Sequence, residues 1–272
     1  MQTETKQCRY GKMTYLPHDQ YIGRSLQVYG EYSEMEMMLV RQLLRPGDVA
    51  LDIGANIGIL TLGMAQMVGP QGTVHAFEPQ RAIHELLSTN VTQNGLKNVV
   101  AHREAVGAAA GTIRVPPLDY DKTGNFGGVV LGGEEGDEVP VVTIDSLQLL
   151  RLRLMKIDVE GMEVPALTGA KETIRRLQPA LYVENDRSEH SGLLIAHIFS
   201  LGYRLWWYLT PMFNPDNFSH RADDVFGNVW SCNMIGLPRT AGISLPFAEV
   251  SSPRDEPTTP DGKPFRFTTP KS

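Results

Sequence analysis

Cysteine and long apolar segments are both scarce in this sequence of 272 residues. The two cysteines, Cys8 and Cys232, cannot build a disulfide framework and have no CxxC spacing for zinc, which favours a reducing compartment. No apolar run approaches the roughly 20 residues that cross a bilayer. The polar N-terminus is not followed by an apolar stretch of signal-peptide length. We therefore expect a cytoplasmic protein without membrane partners.

Positive charge is also sparse. The chain carries 25 Lys and Arg against 31 Asp and Glu, a net charge of -6, and its one dense basic run, 151–156, is interrupted by leucines. Because neutralising phosphates requires clustered cations, we expect no nucleic-acid partner. With 42% hydrophobic and 21% charged residues the composition is that of a globular protein. The oligomeric state, a homo-oligomer included, is left open.

Apolar segments of strand length alternate with segments of helical periodicity along most of the chain. Ser33 followed by Glu36 forms a capping box that opens the first helix. The predicted strands are 49–53, 73–77, 99–103, 154–158, 180–183, 203–208 and 229–235, and the predicted helices are 34–44, 57–68, 81–93, 165–177 and 193–201. Strands separated by such helices form βαβ units with right-handed crossovers. We therefore predict an α/β fold: a Rossmann-like, doubly wound, mostly parallel seven-stranded sheet with an antiparallel last strand.

Three further segments have their own character. Residues 1–45 are predicted to form an N-terminal cap on a main domain at 46–238. Within that domain, 116–138 contains six glycines and no periodicity, and so predicts either a lid over a site or a surface excursion. Residues 239–272 are rich in proline, serine and threonine, which predicts a flexible tail.

The turn after the first strand, 52–58, reads DIGANIG and leads into a helix. Ligands of doubly wound sheets bind at this edge, where glycines let the backbone approach closely. In the dinucleotide fingerprint G-x-G-x-x-G, the second and third glycines would stand where this chain has Asn56 and Ile59. That departure disfavours NAD and FAD.

Acidic residues lie at the ends of three of the predicted strands. Glu78, at the end of the second strand, is placed to accept hydrogen bonds from both hydroxyls of a ribose. Asp52 and Asp158 would favour a ligand that carries an amino group or a sulfonium. S-adenosylmethionine has these groups and no phosphate. Helix capping by Asp52 and Glu78 is the alternative interpretation.

The same residues resemble a known family. The sequence from about 22 to 237 is similar to the FkbM family of S-adenosylmethionine-dependent methyltransferases, in the motifs Asp52-x-Gly54-x-Asn56-x-Gly58, Phe77-Glu78-Pro79, Lys156-Ile157-Asp158-Val159-Glu160-Gly161-x-Glu163 and Leu167-x-Gly169-Ala170. The resemblance implies that the cofactor is held by Asp52, Gly54, Asn56, Gly58 and Glu78, with Glu104 and Ala105 near the adenine and Asp158 at the methionine end. It also implies O-methylation of a small-molecule or glycan acceptor, such as a sugar or a polyketide-like natural product.

Methyl transfer to a hydroxyl requires a group that takes its proton. Asp158 and Glu160 stand two apart at the end of the fourth strand and face one side if it stays extended, and Glu184 ends the fifth strand. We rank Glu160 first as the proton acceptor. The alternative role of Glu160 is to cap the Gly161 turn. The alternative role of Glu184 is to form an ion pair with Arg187. A divalent metal bound by the three carboxylates stays open, although no regular metal motif is present.

Candidates on the acceptor side come from two places. Asn125 and Phe126 lie in the glycine-rich loop, where polar and aromatic groups can close over a polyol. Trp207 adjoins Trp206 in a predicted strand, so the two face opposite sides and one of them is free to line a pocket. Packing of both tryptophans against helices is the alternative. His190 follows the fifth strand closely enough to approach the acceptor.

Two other functions compete with methyl transfer. A nicotinamide-dependent oxidoreductase would use the same turn and Glu78, but lacks the expected glycines. A non-catalytic nucleoside-binding or carbohydrate-binding module would keep the fold without turnover. Asp158 and Glu160 favour an enzyme over such a module.

Overall fold

The computed structural model describes residues 1–259 and 262–265. The strands are β1 (Glu4–Cys8), β2 (Gly11–Tyr15), β3 (Val49–Ile53), β4 (Thr73–Phe77), β5 (Val99–His102), β6 (Ala105–Val106), β7 (Gly111–Val115), β8 (Asp137–Val142), β9 (Leu154–Ile157), β10 (Ala180–Glu184), β11 (Tyr203–Pro211), β12 (Trp230–Pro238) and β13 (Glu249–Val250). The helices are α1 (Ile22–Tyr29), α2 (Glu34–Leu43), α3 (Ile59–Val68), α4 (Arg81–Gln93), α5 (Glu163–Thr168), α6 (Lys171–Leu177) and α7 (Ser188–Ser200).

The main sheet confirms the predicted α/β class. Within the described residues its order is β13-β11-β12-β10-β9-β3-β4-β5. Strands β9, β10, β3, β4 and β5 pair in parallel, and β12 runs antiparallel to both of its neighbours. The chain winds outward from β3 through β4 to β5 and then returns to place β9 on the other side of β3. That reversal creates a crevice at the carboxyl ends of β3 and β9, where such sheets bind ligands.

Helices cover both faces of the sheet because the central strands are apolar on both sides. On β3, Ala50 packs into the cluster formed with α2, α3 and α4, whereas Leu51 packs into the cluster formed with α5, α6 and α7. All five residues of β3 are buried, which is the pattern of a strand inside a two-sided parallel sheet.

The expected helix at 165–177 is two helices in the structure. Helix α5 ends at Thr168 and α6 begins at Lys171. A Cβ atom on Gly169 would lie 2.0 Å from the carbonyl oxygen of Gly107, so this backbone packs directly against the chain leading to β7. Helical periodicity continues across the break, which is why the sequence pattern did not reveal it.

The N-terminal segment and the regions on either side of the glycine-rich segment contain strands that the sequence did not predict. Strands β1 and β2 form a hairpin whose backbone is bound by α4: Asn90 accepts from Thr14 N at 2.7 Å. Strands β6, β8 and β7 form a second sheet. The predicted loop at 116–138 is the connection between β7 and β8, and its last two residues belong to β8.

The C-terminal segment departs from the flexible tail expected at 239–272. Strand β13 pairs with β11, Val250 is buried, and Glu249 forms a two-pronged ion pair with Arg204 at 2.8 Å. A buried apolar residue and a paired charge therefore dock this part of the segment, and the sheet has one strand more than the seven predicted. Residues 260–261 and 266–272 of the predicted tail lie outside the described residues. Among the described helices, none has the length and apolar character needed to cross a membrane.

Candidate active site

A cavity of about 220 Å³ opens at the crevice between β3 and β9. Its wall is built by the turns that follow β3, β4 and β9, by the end of β10, and by β12. Helix α2 and the segment connecting β7 to β8 contribute the remaining sides, the latter through Asn125, Gly127 and Gly128. The cavity therefore lies at the edge of the sheet where the sequence places a ligand site.

The turn after β3 is held open toward the cavity by its own polar groups. Asn56 has a φ of 50°, and its side chain accepts a hydrogen bond from Ile57 N at 2.7 Å. Glu78 is buried on the cavity wall, where it accepts from Asn56 N at 3.0 Å and from Gln80 N at 2.8 Å. Gly54 has a φ of 80°, and a Cβ atom there would lie 1.7 Å from the carbonyl oxygen of Asp158. Only glycine fits this position.

Asp52 and Gly58 support this turn without lining the cavity. Asp52 is fully buried, accepts from Thr61 Oγ1 at 2.5 Å and pairs with Lys156 Nζ at 3.2 Å. Gly58 caps α3, and a Cβ atom there would lie 2.6 Å from a methyl group of Leu87. Both residues pack against the protein itself, and their predicted direct role in cofactor binding stays a prediction.

Glu104 and Ala105 line a small adjoining cavity of about 20 Å³ that shares Gly54 and Pro79 with the larger one. The structure therefore brings Gly54, Asn56, Glu78 and Asp158 together around one cavity and places Glu104 and Ala105 beside it.

Asp158, Glu160 and Glu184 converge, with one oxygen of each within 4.8 Å of the others. Glu160 binds Arg187 by a short hydrogen bond, whereas Glu184 has a buried oxygen without a hydrogen-bond partner among the described residues. Burial, and then the charge of Asp158, raise the pKa of Glu160 to about 7 and that of Glu184 well above its usual range. The alternative role of Glu184, an ion pair with Arg187, is not what the structure shows, because Arg187 pairs with Glu160. Glu160 and Glu184 therefore hold a proton at higher pH than ordinary carboxyl groups do.

Three of the four expected acceptor-side residues lie away from the cavity wall. Phe126 is buried in the core, where its backbone N donates to Asp19 at 3.1 Å and its carbonyl accepts from Gln80 at 2.9 Å. Trp207 packs in the cluster beneath α7, and His190 is exposed on α7. Asn125 lines the cavity. Trp207 therefore packs in the core, as in the alternative interpretation of the sequence.

Sequence reasoning missed several polar residues of the cavity wall: Glu36, Lys156, Tyr182 and Asn233. Glu36 was interpreted as half of a capping box, but Ser33 has a φ of 53° and makes no side-chain cap, and Glu36 faces the cavity instead. Polar residues inside otherwise apolar strands were the available signal for Lys156 and Asn233.

Three comparisons with known proteins agree on one family. A model of the methyltransferase FkbM domain matches residues 52–205. The chain is similar to 31-O-demethyl-FK506 methyltransferase FkbM of Streptomyces tacrolimicus, with 47% identity over 51 residues, 19% of each chain. It is also similar to methyltransferase sdnD of Sordaria araneosa, with 30% identity over 159 residues, 45% of this chain and 60% of that one. The match thus spans at most 60% of these curated relatives.

The solved structures to which this chain is similar include methyltransferase FkbM from Methylobacillus flagellatus KT. That match has a TM-score of 0.46 and 20% identity, and it covers 74% of this chain and 50% of that chain. A SAM-dependent O-methyltransferase from Thermotoga maritima has a TM-score of 0.45 and 15% identity over 86% and 77%. Because the family model covers more than half of the sequence, the chain belongs to the FkbM family of methyltransferases.

Proposed function

We propose that the chain is an S-adenosylmethionine-dependent methyltransferase that methylates a hydroxyl of a sugar or natural-product acceptor. Family membership supports methyl transfer. The observation that carries the choice of cofactor is the turn after β3, in which Glu78 lies on the cavity wall and the Asn56 side chain binds the N–H of Ile57.

The donor set of this turn fits a nucleoside better than a dinucleotide. Each oxygen of Glu78 accepts one backbone hydrogen bond and keeps a second acceptor position for a ribose hydroxyl. The N–H of Ile57, next to the start of α3, is bound by Asn56, although a pyrophosphate needs such groups free. Within the described residues, six carboxyl side chains and one ammonium group line the cavity, and that ammonium group, on Lys156, is already paired with Asp52 and Asp158, so no lining cation is left for a phosphate.

The chain supplies positioning and a proton acceptor. When bound, S-adenosylmethionine would supply an electrophilic methyl group to the acceptor oxygen, with its sulfur as the leaving group. Gly54, Asn56, Glu78 and Asp158 would hold the cofactor, and Glu160 takes the hydroxyl proton while Arg187 fixes the direction of its carboxylate. A positioned base contributes 10²–10⁴-fold to such a reaction, and alignment of two bound reactants contributes about 7–11 kcal/mol. Positioning is therefore the larger contribution.

Calorimetric titration of the full chain with S-adenosylmethionine, S-adenosylhomocysteine, NAD and NADP tests this function. We expect saturable binding of the two sulfur nucleosides alone. Glu78→Ala should weaken S-adenosylhomocysteine binding at least about tenfold, which is about 1.4 kcal/mol, whereas Glu160→Gln should leave it within about twofold. Binding of NAD or NADP alone, or equal losses in the two variants, would contradict the proposal.

A further inference from the structure

The small cavity beside the site of the proposed cofactor has an apolar wall with one polar side chain. Apart from Glu104, every described residue that lines it is apolar or glycine. The residues that line both cavities are Gly54, Pro79, Leu131 and Val159. At about 20 Å³ the small cavity is too small for a whole purine. It accepts the edge of a base whose ribose lies at Glu78 and whose apolar faces meet the shared wall.

Glu104 is the hydrogen-bond acceptor that this edge would meet. It follows the last residue of β5 by two positions, and its side chain is 31% exposed. A carboxylate only accepts hydrogen bonds, and each of its oxygens has two acceptor positions. At position 6 of a purine, the amino group of adenine donates, whereas the oxo group of hypoxanthine accepts. A carboxylate held toward the base therefore favours adenine.

The ring of His102 lies beside Glu104 and is held by two residues of β4. Its Nδ1 is 3.5 Å from Glu104 Oε2, the outer limit of a hydrogen bond, and the side chain is 19% exposed. Its Nε2 is 3.2 Å from Nδ1 of His75. Phe77 stacks on the same ring, with centroids 4.4 Å apart and planes 10° from parallel. Phe77 thus fixes the plane of the ring, and His75 fixes its rotation.

These contacts allow one arrangement of protons on the two histidines. Burial is the largest cause that lowers the pKa of His102 and that of His75, so both rings are neutral at neutral pH. A neutral imidazole has one donor nitrogen and one acceptor nitrogen. Because the carboxylate of Glu104 can only accept, the proton of His102 belongs on Nδ1. His102 Nε2 then accepts a hydrogen bond from His75 Nδ1.

We propose that His102 and His75 are positioning residues of the nucleoside site: His102 directs the Glu104 carboxylate toward the 6-amino group of adenine, and His75 fixes the tautomer of His102 that does so. This inference rests on the proposed function, because adenine is the base of S-adenosylmethionine. Neither histidine lines either cavity, so both act on a ligand through Glu104. Glu104 itself follows the end of a strand and is half-exposed, so its direction depends on such a contact.

Calorimetric titration of the full chain with S-adenosylhomocysteine and with S-inosylhomocysteine tests the inference, because the two ligands differ in the group at position 6 of the base. We expect the adenine compound to bind at least about tenfold more tightly. His102→Phe keeps a ring that stacks on Phe77 but has no N–H, and should reduce this ratio of affinities at least about threefold. His102→Asn restores an N–H close to the place of Nδ1 and should keep the ratio within about twofold.

Three further variants separate the roles. His75→Leu removes the donor to His102 and leaves the other two side chains in place, so it should also reduce the ratio. Glu104→Gln supplies a donor as well as an acceptor and should bring the ratio close to one. His197→Phe changes a half-buried histidine on α7 and, as the control, should leave the ratio unchanged.

Equal binding of the two ligands by the unaltered chain would overturn the inference. A parallel loss of both affinities in His102→Phe would do the same, since a purely structural role predicts it, and so would an unchanged ratio in His75→Leu. Circular dichroism shows which variants fold, and if one histidine variant does not, the other decides. Binding of S-adenosylhomocysteine is measured first. Its absence speaks against the proposed function, whereas binding that is indifferent to the histidines speaks against their positioning role alone.

Discussion

Lys156 joins the two strands at the centre of the site. Burial alone would lower its pKa, but Asp158 and Asp52 outweigh burial and raise it. Lys156→Met leaves Asp52 buried without its cation, and loss of one partner of a buried ion pair typically lowers the unfolding free energy by about 3–5 kcal/mol. Urea denaturation should show a loss of that size. Lys97→Met, at an exposed position, should change stability by less than about 0.5 kcal/mol, and an equally small change at Lys156 would contradict this account.

Glu36 and Glu78 should make stability depend on pH. Burial, the largest cause, raises the pKa of each from 4.5 to about 7. Between these values each of the two groups binds more protons in the folded chain than in the unfolded chain, so their contribution to the unfolding free energy is largest below pH 4.5 and falls as the pH rises to about 7. The loss should be on the order of 1–3 kcal/mol per group.

Urea denaturation between pH 5 and pH 8 measures this slope. Glu36→Gln removes one titrating group and should flatten the slope, while Glu85→Gln should not alter it. A ligand-free protein whose stability rises over this interval would show that these carboxyl groups ionise normally.

The site residues that could be predicted from the sequence are those that follow a strand directly. Gly54, Asn56 and Glu78 follow strands at positions where the sheet presents ligands, so spacing alone brings them together. Glu36 and Asn233 reach the same cavity through tertiary packing of α2 and β12, which no local pattern encodes. The burial of Phe126 could not be predicted, because a glycine-rich loop suggests exposure, whereas the Phe126 backbone is hydrogen-bonded through both its N–H and its carbonyl.

The long segment between β7 and β8 is anchored by hydrogen bonds to Asp19 and Gln20. The buried carboxylate of Asp19 accepts from Phe126 N, and Gln20 N donates to the carbonyl of Gly124 at 2.9 Å. Asp19→Ala removes one of these anchors. We expect hydrogen exchange at 124–128 to become at least about tenfold faster, measured by mass spectrometry. Asp119→Ala, an exposed position on the same segment, is the control, and equal exchange in both variants would argue against anchoring by Asp19.

Periodicity predicted the regular elements and missed those defined by long-range contacts. Strands β3, β4, β9 and β10 are short apolar runs bounded by turn residues, and they appeared where expected. The β1 and β2 hairpin alternates less clearly, and its pairing with α4 depends on Asn90 and Asn94, which reach its backbone across more than 70 residues. Such side-chain hydrogen bonds leave no local signature.

At the scale of the whole molecule, the N-terminal segment belongs to the same core as the sheet. Met37, Val40 and Leu44 are buried in the cluster that contains α3 and α4. Removing 1–45 would expose the side chains that pack against these three residues. Burial of each of the three contributes about 1.5–3 kcal/mol to the unfolding free energy. We expect a fragment spanning 46–259 to lack a cooperative urea transition in circular dichroism, whereas 1–259 retains one. A cooperative transition in the fragment would support the separate cap inferred from the sequence.

Strand β13 has a further consequence for synthesis of the chain. Strand β11 is nine residues long, and β13 pairs with Leu205 and Trp206 on its outer side. Until residue 250 has left the ribosome, this apolar strand presents an open edge onto which a strand from another copy can add. Strand β13 is thus the last of the described strands to join the sheet, and we expect yield during rapid expression to depend on how soon it docks.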